Sequence, residues 1–291
     1  MNIKAVVLIV FSVLFVSCSA QITSLSGKGR VHIISTGFDY ADSKVSSLCG
    51  TVADATETAV CLKQIYTSKG IEVDSELLIN TPDSGAVLEE IEKIEAEDED
   101  LIVFYFSGHG ATDCTGAFLV CNKTNESAYD IPEEYTRLYM DDVYKVLKRK
   151  KCRSVIILDC CYAGKMANNT ASERNFIKAV CTVFEAVSQN KVSVIASCRE
   201  DQTSLMGAVF TEEGNGENHS LFTIKLLEAL GWKHSSLKTE EIQGETACGY
   251  VETYPGRMSV YNLYRKILLN WSSEVQIPEI NRTEVPVMLI P

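Results

Sequence analysis

Histidine is scarce in this chain, with four in 291 residues. The eleven cysteines hold no CxxC pair, and no histidines stand in HExxH spacing. The short zinc signatures are therefore missing, and no metal site is expected from spacing. The six prolines and seventeen glycines never gather into a Pro/Gly/Ser-rich stretch, and no repeat or low-complexity tract interrupts the chain. With no linker to divide it, the sequence reads as one large domain. Basic residues are in the minority, 27 against 39 acidic ones, for a net charge of −12. That excludes the clustered Lys and Arg a nucleic-acid surface needs, and it suits basic ligands. The acidic run Glu95 to Asp100 is read as a solvated face. A hydrophobic content of 46% is enough for a core at this size.

A membrane-spanning run is also lacking. The longest apolar stretch, Ala5 to Val16, falls short of the roughly 20 residues a spanning helix needs. Preceded by Lys4 and followed by small residues, it reads as an export signal over residues 1–20. Phe15-Val16-Ser17-Cys18 resembles a relaxed bacterial lipobox, so Cys18 is expected to become a lipidated N-terminus on a membrane-anchored lipoprotein. The alternatives are cleavage after Ala20, giving a secreted protein beginning at Gln21, and a retained anchor. Six N-x-S/T sequons, at Asn122, Asn125, Asn168, Asn218, Asn270 and Asn281, exceed the chance expectation and fit secretion as a glycoprotein. Export permits disulfides, and Cys114 with Cys121 is a possible pair. Most of the thiols lie in apolar segments and are expected to be free and buried.

The remainder alternates strands and helices. Strands are predicted at Val31–Ser35, Val73–Ile79, Leu101–Phe106, Phe118–Cys121, Val155–Leu158, Val192–Ala196 and Val285–Ile290. Helices are predicted at Ala53–Lys69, Ala86–Ala96, Asp141–Lys150, Phe176–Ser188, Leu221–Leu230 and Val260–Leu269. Such alternation makes an α/β domain, a mainly parallel sheet with helices on both faces.

Two of the strands carry chemistry at their ends. LIVFYF runs into a presumed turn, Ser107-Gly108-His109-Gly110, and VIIL runs into Asp159-Cys160-Cys161-Tyr162-Ala163-Gly164. Catalytic groups of parallel sheets collect at the carboxyl ends of strands. A thiol there with an imidazole beside it is a nucleophile–base pair. His109 stands 52 residues before Cys161, in line with a spacing of roughly 50 in caspases. Strand alternation sends Cys160 into a helix layer, which leaves Cys161 as the nucleophile. The N–H of Cys161 with that of Gly110 or Gly108 is the expected oxyanion hole.

These residues resemble the motifs of the caspase-like cysteine peptidase clan, specifically its metacaspase-like branch. Ser107-Gly108-His109-Gly110 is similar to the family's histidine motif. Asp159-Cys160-Cys161-Tyr162-Ala163-Gly164 is similar to its Asp-x-Cys-[His/Tyr]-[Ser/Ala]-Gly motif, in which the third residue attacks. The likeness covers about 30–291. It includes Leu48-x-Gly50-x-x-x-Asp54-Ala55, Asp201-Gln202-x-Ser204 and Ser220-Leu221-Phe222-Thr223. It implies a three-layer sandwich around a mainly parallel six-stranded sheet and a cysteine endopeptidase with His109 and Cys161 as its dyad.

The resemblance further implies cleavage after Arg or Lys, with Asp54, Ser107 and Asp159 at the substrate-binding positions. Carboxylates beside the nucleophile favour a cationic side chain. Asp54 also has a reading as a charge at a helix start. Asp141-Asp142 resembles a calcium-binding pair, but no acidic cluster follows His109 beyond Asp113. Calcium needs several oxygen ligands, so a helix-start role is preferred and no cofactor is expected. The expected partners are proteins or peptides with basic residues, and a membrane only through the lipid. The rival readings are an Asp-specific peptidase and a catalytically silent peptide-binding scaffold. Self-cleavage, if it occurs, is expected at Lys165 or Arg174.

Overall fold

The computed structural model describes residues 29–41, 46–80, 83–112, 117–121, 137–162, 191–198, 204–211, 214, 216–274, 276–280 and 287–291. The first strand, β1 (Val31–Gly37), leads into α1 (Thr51–Ser68), β2 (Val73–Ile79) and α2 (Ser84–Lys93). Then come β3 (Leu101–Thr112), β4 (Ala117–Val120), β5 (Arg137–Tyr139), α3 (Met140–Arg149), β6 (Arg153–Tyr162) and β7 (Val192–Ala196). The last part holds β8 (Met206–Phe210), β9 (Gly216–Ser220), α4 (Leu221–Leu230), β10 (Trp232–Ile242) and β11 (Glu245–Val251). It ends with β12 (Met258–Ser259), α5 (Val260–Leu269), β13 (Glu279–Ile280) and β14 (Met288–Ile290).

The central path of the main sheet runs β13-β7-β6-β3-β1-β2. Five of these strands are parallel, and β13 closes the β7 edge antiparallel. This is the expected α/β three-layer sandwich. Alternate residues of each strand enter different cores. Ile34, Phe104, Phe106, Ile156, Leu158 and Cys160 pack under α2 and α3. Ile33, Val103, Tyr105, Val155 and Ile157 pack under α1, α4 and α5. Burial on both faces explains why these strands are unbroken apolar runs.

Local chemistry sets the helix ends. The Asp83 carboxylate caps α2 by accepting from Ala86 N–H at 2.8 Å, and Ser220 and Ser259 cap α4 and α5 in the same way. Gly231 ends α4 in the left-handed conformation.

One expectation needs correction. The Gly-His-Gly segment is not a turn: β3 continues to Thr112 and β6 to Tyr162. Both edges of this extension are occupied, by β6 on one side and β4 on the other, so the ladder continues. The strand predicted at Val285–Ile290 is present over Met288–Ile290, outside the main sheet. Met288–Ile290 pairs with β12 instead, while the Tyr66 hydroxyl donates to the Leu289 carbonyl and β13 fills the sheet edge. Cys121 is a free, buried thiol, as expected of most of the cysteines, and Cys114 lies outside the described residues. The segments 1–28 and 163–190 lie outside the described residues, and with them Cys18, Lys165, Arg174 and the Phe176–Ser188 helix. Among the described residues, no helix is long and apolar enough to cross a membrane.

Candidate active site

Extension of β3 and β6 past the sheet's apolar middle brings the predicted residues together. The ladder pairs Ser107 with Asp159, Gly108 with Cys160, His109 with Cys161 and Gly110 with Tyr162. The Cys161 backbone thus lies directly beside that of His109. Cys160 is 2% exposed within the apolar layer under α2 and α3, as the alternation argument expected.

His109 is held from two sides. Its backbone N–H donates to the Tyr40 hydroxyl at 2.8 Å, and that hydroxyl donates to the Val120 carbonyl at 2.8 Å. The Tyr40 ring lies 4.7 Å from the imidazole, centroid to centroid. A glycine is required at 108 because a Cβ there would stand 2.6 Å from the Tyr40 hydroxyl oxygen. The imidazole Nε2 lies 2.8 Å from the Ser46 carbonyl. A carbonyl only accepts, so Nε2 carries the proton and Nδ1 keeps its lone pair. Nδ1 is buried with no hydrogen-bond partner among the described residues. Burial holds the imidazole below its usual pKa, partly opposed by the bond to Ser46. The result is a neutral ring with a fixed tautomer and one unused basic nitrogen.

Two carboxylates, Asp54 and Asp159, sit behind His109 and Cys161. Asp54, in the first turn of α1, is fully buried. It accepts from Ser107 Oγ at 3.1 Å, from Ser220 N–H at 3.2 Å, and lies 2.8 Å from His219 Nδ1. Gly50, left-handed at φ 93°, starts α1 and lies so close to β9 that a Cβ would meet the Asn218 carbonyl at 2.4 Å. Asp159, 3% exposed, accepts from Ser204 Oγ at 3.1 Å, Thr223 Oγ1 at 2.6 Å and the Ser220 hydroxyl. Burial, reinforced by the nearby Asp54 charge, pushes Asp159 up to about 7. Burial likewise raises Asp54, against its bonds to His219 and the two serines. A buried pair of acids bridged by Ser220 thus lies under the strand ends.

The sequence matches the caspase domain (Peptidase C14) over residues 28–284. The chain belongs to the caspase domain family. Membership makes it a cysteine peptidase in general terms. No curated protein matches the chain.

Within this caspase domain, Asp54, Ser107 and Asp159 are brought together, and Gly110 lies beyond His109 on β3. Asp141 and Asp142 start α3, and Asp142 pairs with Lys145 at 2.9 Å. Tyr40 and Ser46, which position His109, carried no sequence signal. Ser204, Ser220 and Thr223 belonged to the resemblance without an assigned role. Their role emerges only from the convergence of α4 and the approach to β8 on Asp159.

Proposed function

We propose that this caspase domain is an endopeptidase whose Cys161 thiolate attacks the substrate carbonyl. His109 Nδ1 takes the thiol proton and returns one to the leaving amine. The observation that carries this reading is the register pair His109–Cys161, combined with an imidazole whose Nε2 is occupied and whose Nδ1 is not. Burial keeps that imidazole neutral at neutral pH, as a general base requires. Attack forms the C–S bond and places negative charge on the carbonyl oxygen. The N–H groups of Gly110 and Cys161 are the proposed donors to that oxyanion. Both lie within the β3–β6 pairing, so at least one must turn from the ladder towards substrate.

We assign preference for Arg or Lys to Asp54 and Asp159, with Ser107 between them: burial raises both acids, and a substrate cation beside them favours their charged forms. Both carboxylates are covered by the chain's own donors in this state, so a substrate cation must displace some of these bonds. A cation in that low-dielectric setting is favoured, and an acidic side chain is repelled. Calcium is not assigned to Asp141 and Asp142, because the Asp142–Lys145 pair and the helix dipole account for them. Residues 1–20 are proposed to export the protein, with Cys18 lipidated.

The deciding experiment labels the full chain with electrophilic peptides presenting Arg, Lys or Asp. Covalent capture on Cys161 by the basic probes is expected, and none in Cys161→Ala. Preferential capture by the Asp probe would reverse the specificity reading. A wild type inert to all three would favour the silent-scaffold alternative.

A further inference from the structure

We infer that Glu57, Glu217, His219 and His234 form a binding site for one divalent transition-metal ion of the zinc class, distinct from the dyad. One ligand atom from each of the four residues lies within 4.8 Å of every other. Zinc–nitrogen and zinc–oxygen bonds of about 2.0–2.2 Å place tetrahedral ligand atoms about 3.3–3.6 Å apart. The observed separations bracket that value. Glu57 Oε2 lies 3.1 Å from His234 Nδ1 and 3.7 Å from His219 Nε2, and Glu217 Oε2 lies 3.8 Å from His219 Nε2.

The second observation is unpaired chemistry. Glu57 Oε2, His219 Nε2 and both ring nitrogens of His234 are buried without a hydrogen-bond partner among the described residues. Buried polar atoms are nearly always paired, and one such atom each from Glu57, His219 and His234 belongs to the cluster, so it needs a cause. The remaining polar atoms of two ligands are already held in a way that aims the free ones inward. His219 Nδ1 donates to Asp54 Oδ1 at 2.8 Å, and Glu57 Oε1 accepts from the Cys248 N–H at 3.2 Å. A histidine tied to a carboxylate through one nitrogen and free at the other is the common arrangement of a metal ligand.

The donor set selects the ion. Two imidazoles with two carboxylates suit zinc and its neighbours, whereas calcium takes six to eight oxygens. Charge agrees: with neutral imidazoles, a divalent cation balances Glu57 and Glu217. The ligands come from α1, β9 and β10, so the ion would bind these three elements together behind Asp54. Entry is available from the Glu217 side, whose side chain is 29% exposed while that of His219 is fully buried. A cleft of ≈ 380 Å³ lined by Glu57, Glu217 and Cys248 leads to it. The inference does not depend on the chain being an active peptidase.

The test uses the full chain, as wild type and as Cys161→Ala, so that the dyad thiolate cannot supply the binding. After dialysis against a chelator, each protein is titrated with zinc alone and with calcium alone. Bound metal is read by elemental analysis and the melting temperature by calorimetry. One equivalent of zinc and a raised melting temperature are expected in both proteins, with neither effect from calcium. Glu57→Gln and His234→Gln should each weaken zinc binding by tenfold or more. Cobalt substitution should give a tetrahedral nitrogen–oxygen spectrum, a readout that needs no folded variant. A thiolate-to-cobalt charge-transfer band, absence of stoichiometric zinc, or variants that bind as wild type would each overturn the site.

Discussion

Tyr40→Phe isolates the device that holds His109. The substitution leaves the ring in place and removes one oxygen. That oxygen accepts from His109 N–H and donates to the Val120 carbonyl, each at 2.8 Å, and Tyr40 is fully buried. Phenylalanine strands both backbone groups where no replacement donor or acceptor is supplied. Each stranded group costs about 1–3 kcal/mol, and the carbonyl falls at the low end because of its second lone pair, so about 2–4 kcal/mol is expected in all. For a domain of this size the melting temperature should fall by roughly 5–10 °C. Activity should suffer too, since β3 is anchored at His109, the proposed base. A small misplacement of a catalytic group can cost up to about a hundredfold in rate. The assays are calorimetric melting and kcat on a basic peptide substrate, each compared with wild type. Gly108→Ala should fail in parallel, because its Cβ would meet the same hydroxyl at 2.6 Å and the Phe106 ring at 2.9 Å. A Tyr40→Phe protein that melts with the wild type and turns over at the same rate would refute the reasoning.

Cys161→Ala should remove peptide hydrolysis, while Cys160→Ala, which changes a buried apolar contact, should retain most of it; the reverse pattern in a peptide assay would reassign the nucleophile. Burial lowers the His109 pKa, so the neutral base persists to more acid pH than an ordinary imidazole; the acid limb of kcat/KM should fall below pH 6.5, and a limb above that value contradicts the assignment. The same depression makes protonation favour the unfolded chain, so the His109 contribution to stability is present above pH 6.5 and is lost as pH falls through the lowered folded value. Asp159→Asn should weaken Arg substrates by about 2 kcal/mol or more, roughly thirtyfold in kcat/KM, and narrow the gap to neutral substrates; an unchanged preference would remove Asp159 from the pocket. Intact-mass analysis of the exported protein should find an acylated Cys18, and an unmodified Gln21 N-terminus would replace lipidation with simple secretion.

Much of this protein was determined by the sequence alone. Period-two burial on two apolar faces dictates β1, β3, β6 and β7, and the Ser220 and Ser259 caps mark where α4 and α5 begin, at the residues expected. His109 and Cys161 were legible as candidates because glycine-flanked histidine and the Asp-Cys-Cys-Tyr-Ala-Gly segment are contiguous signals, each carried by a few neighbouring residues. Where strands stop was not legible, since glycine ends a strand only if no neighbour continues the ladder, and here β4 and β6 do. Nor could the chain order reveal that β14 pairs with β12 while β13 takes the sheet edge. Tyr40, Ser46 and the His219-centred cluster were decided by tertiary structure. Their partners lie far apart in sequence, on loops and on α1, β9 and β10, and hydrogen bonds or ligand geometry between such segments leave no periodic trace. Spacing rules detect metal ligands carried on one short segment, and of these four only Glu217 and His219 are close, two residues apart on one face of a strand. Folding alone brings Glu57 and His234 to them.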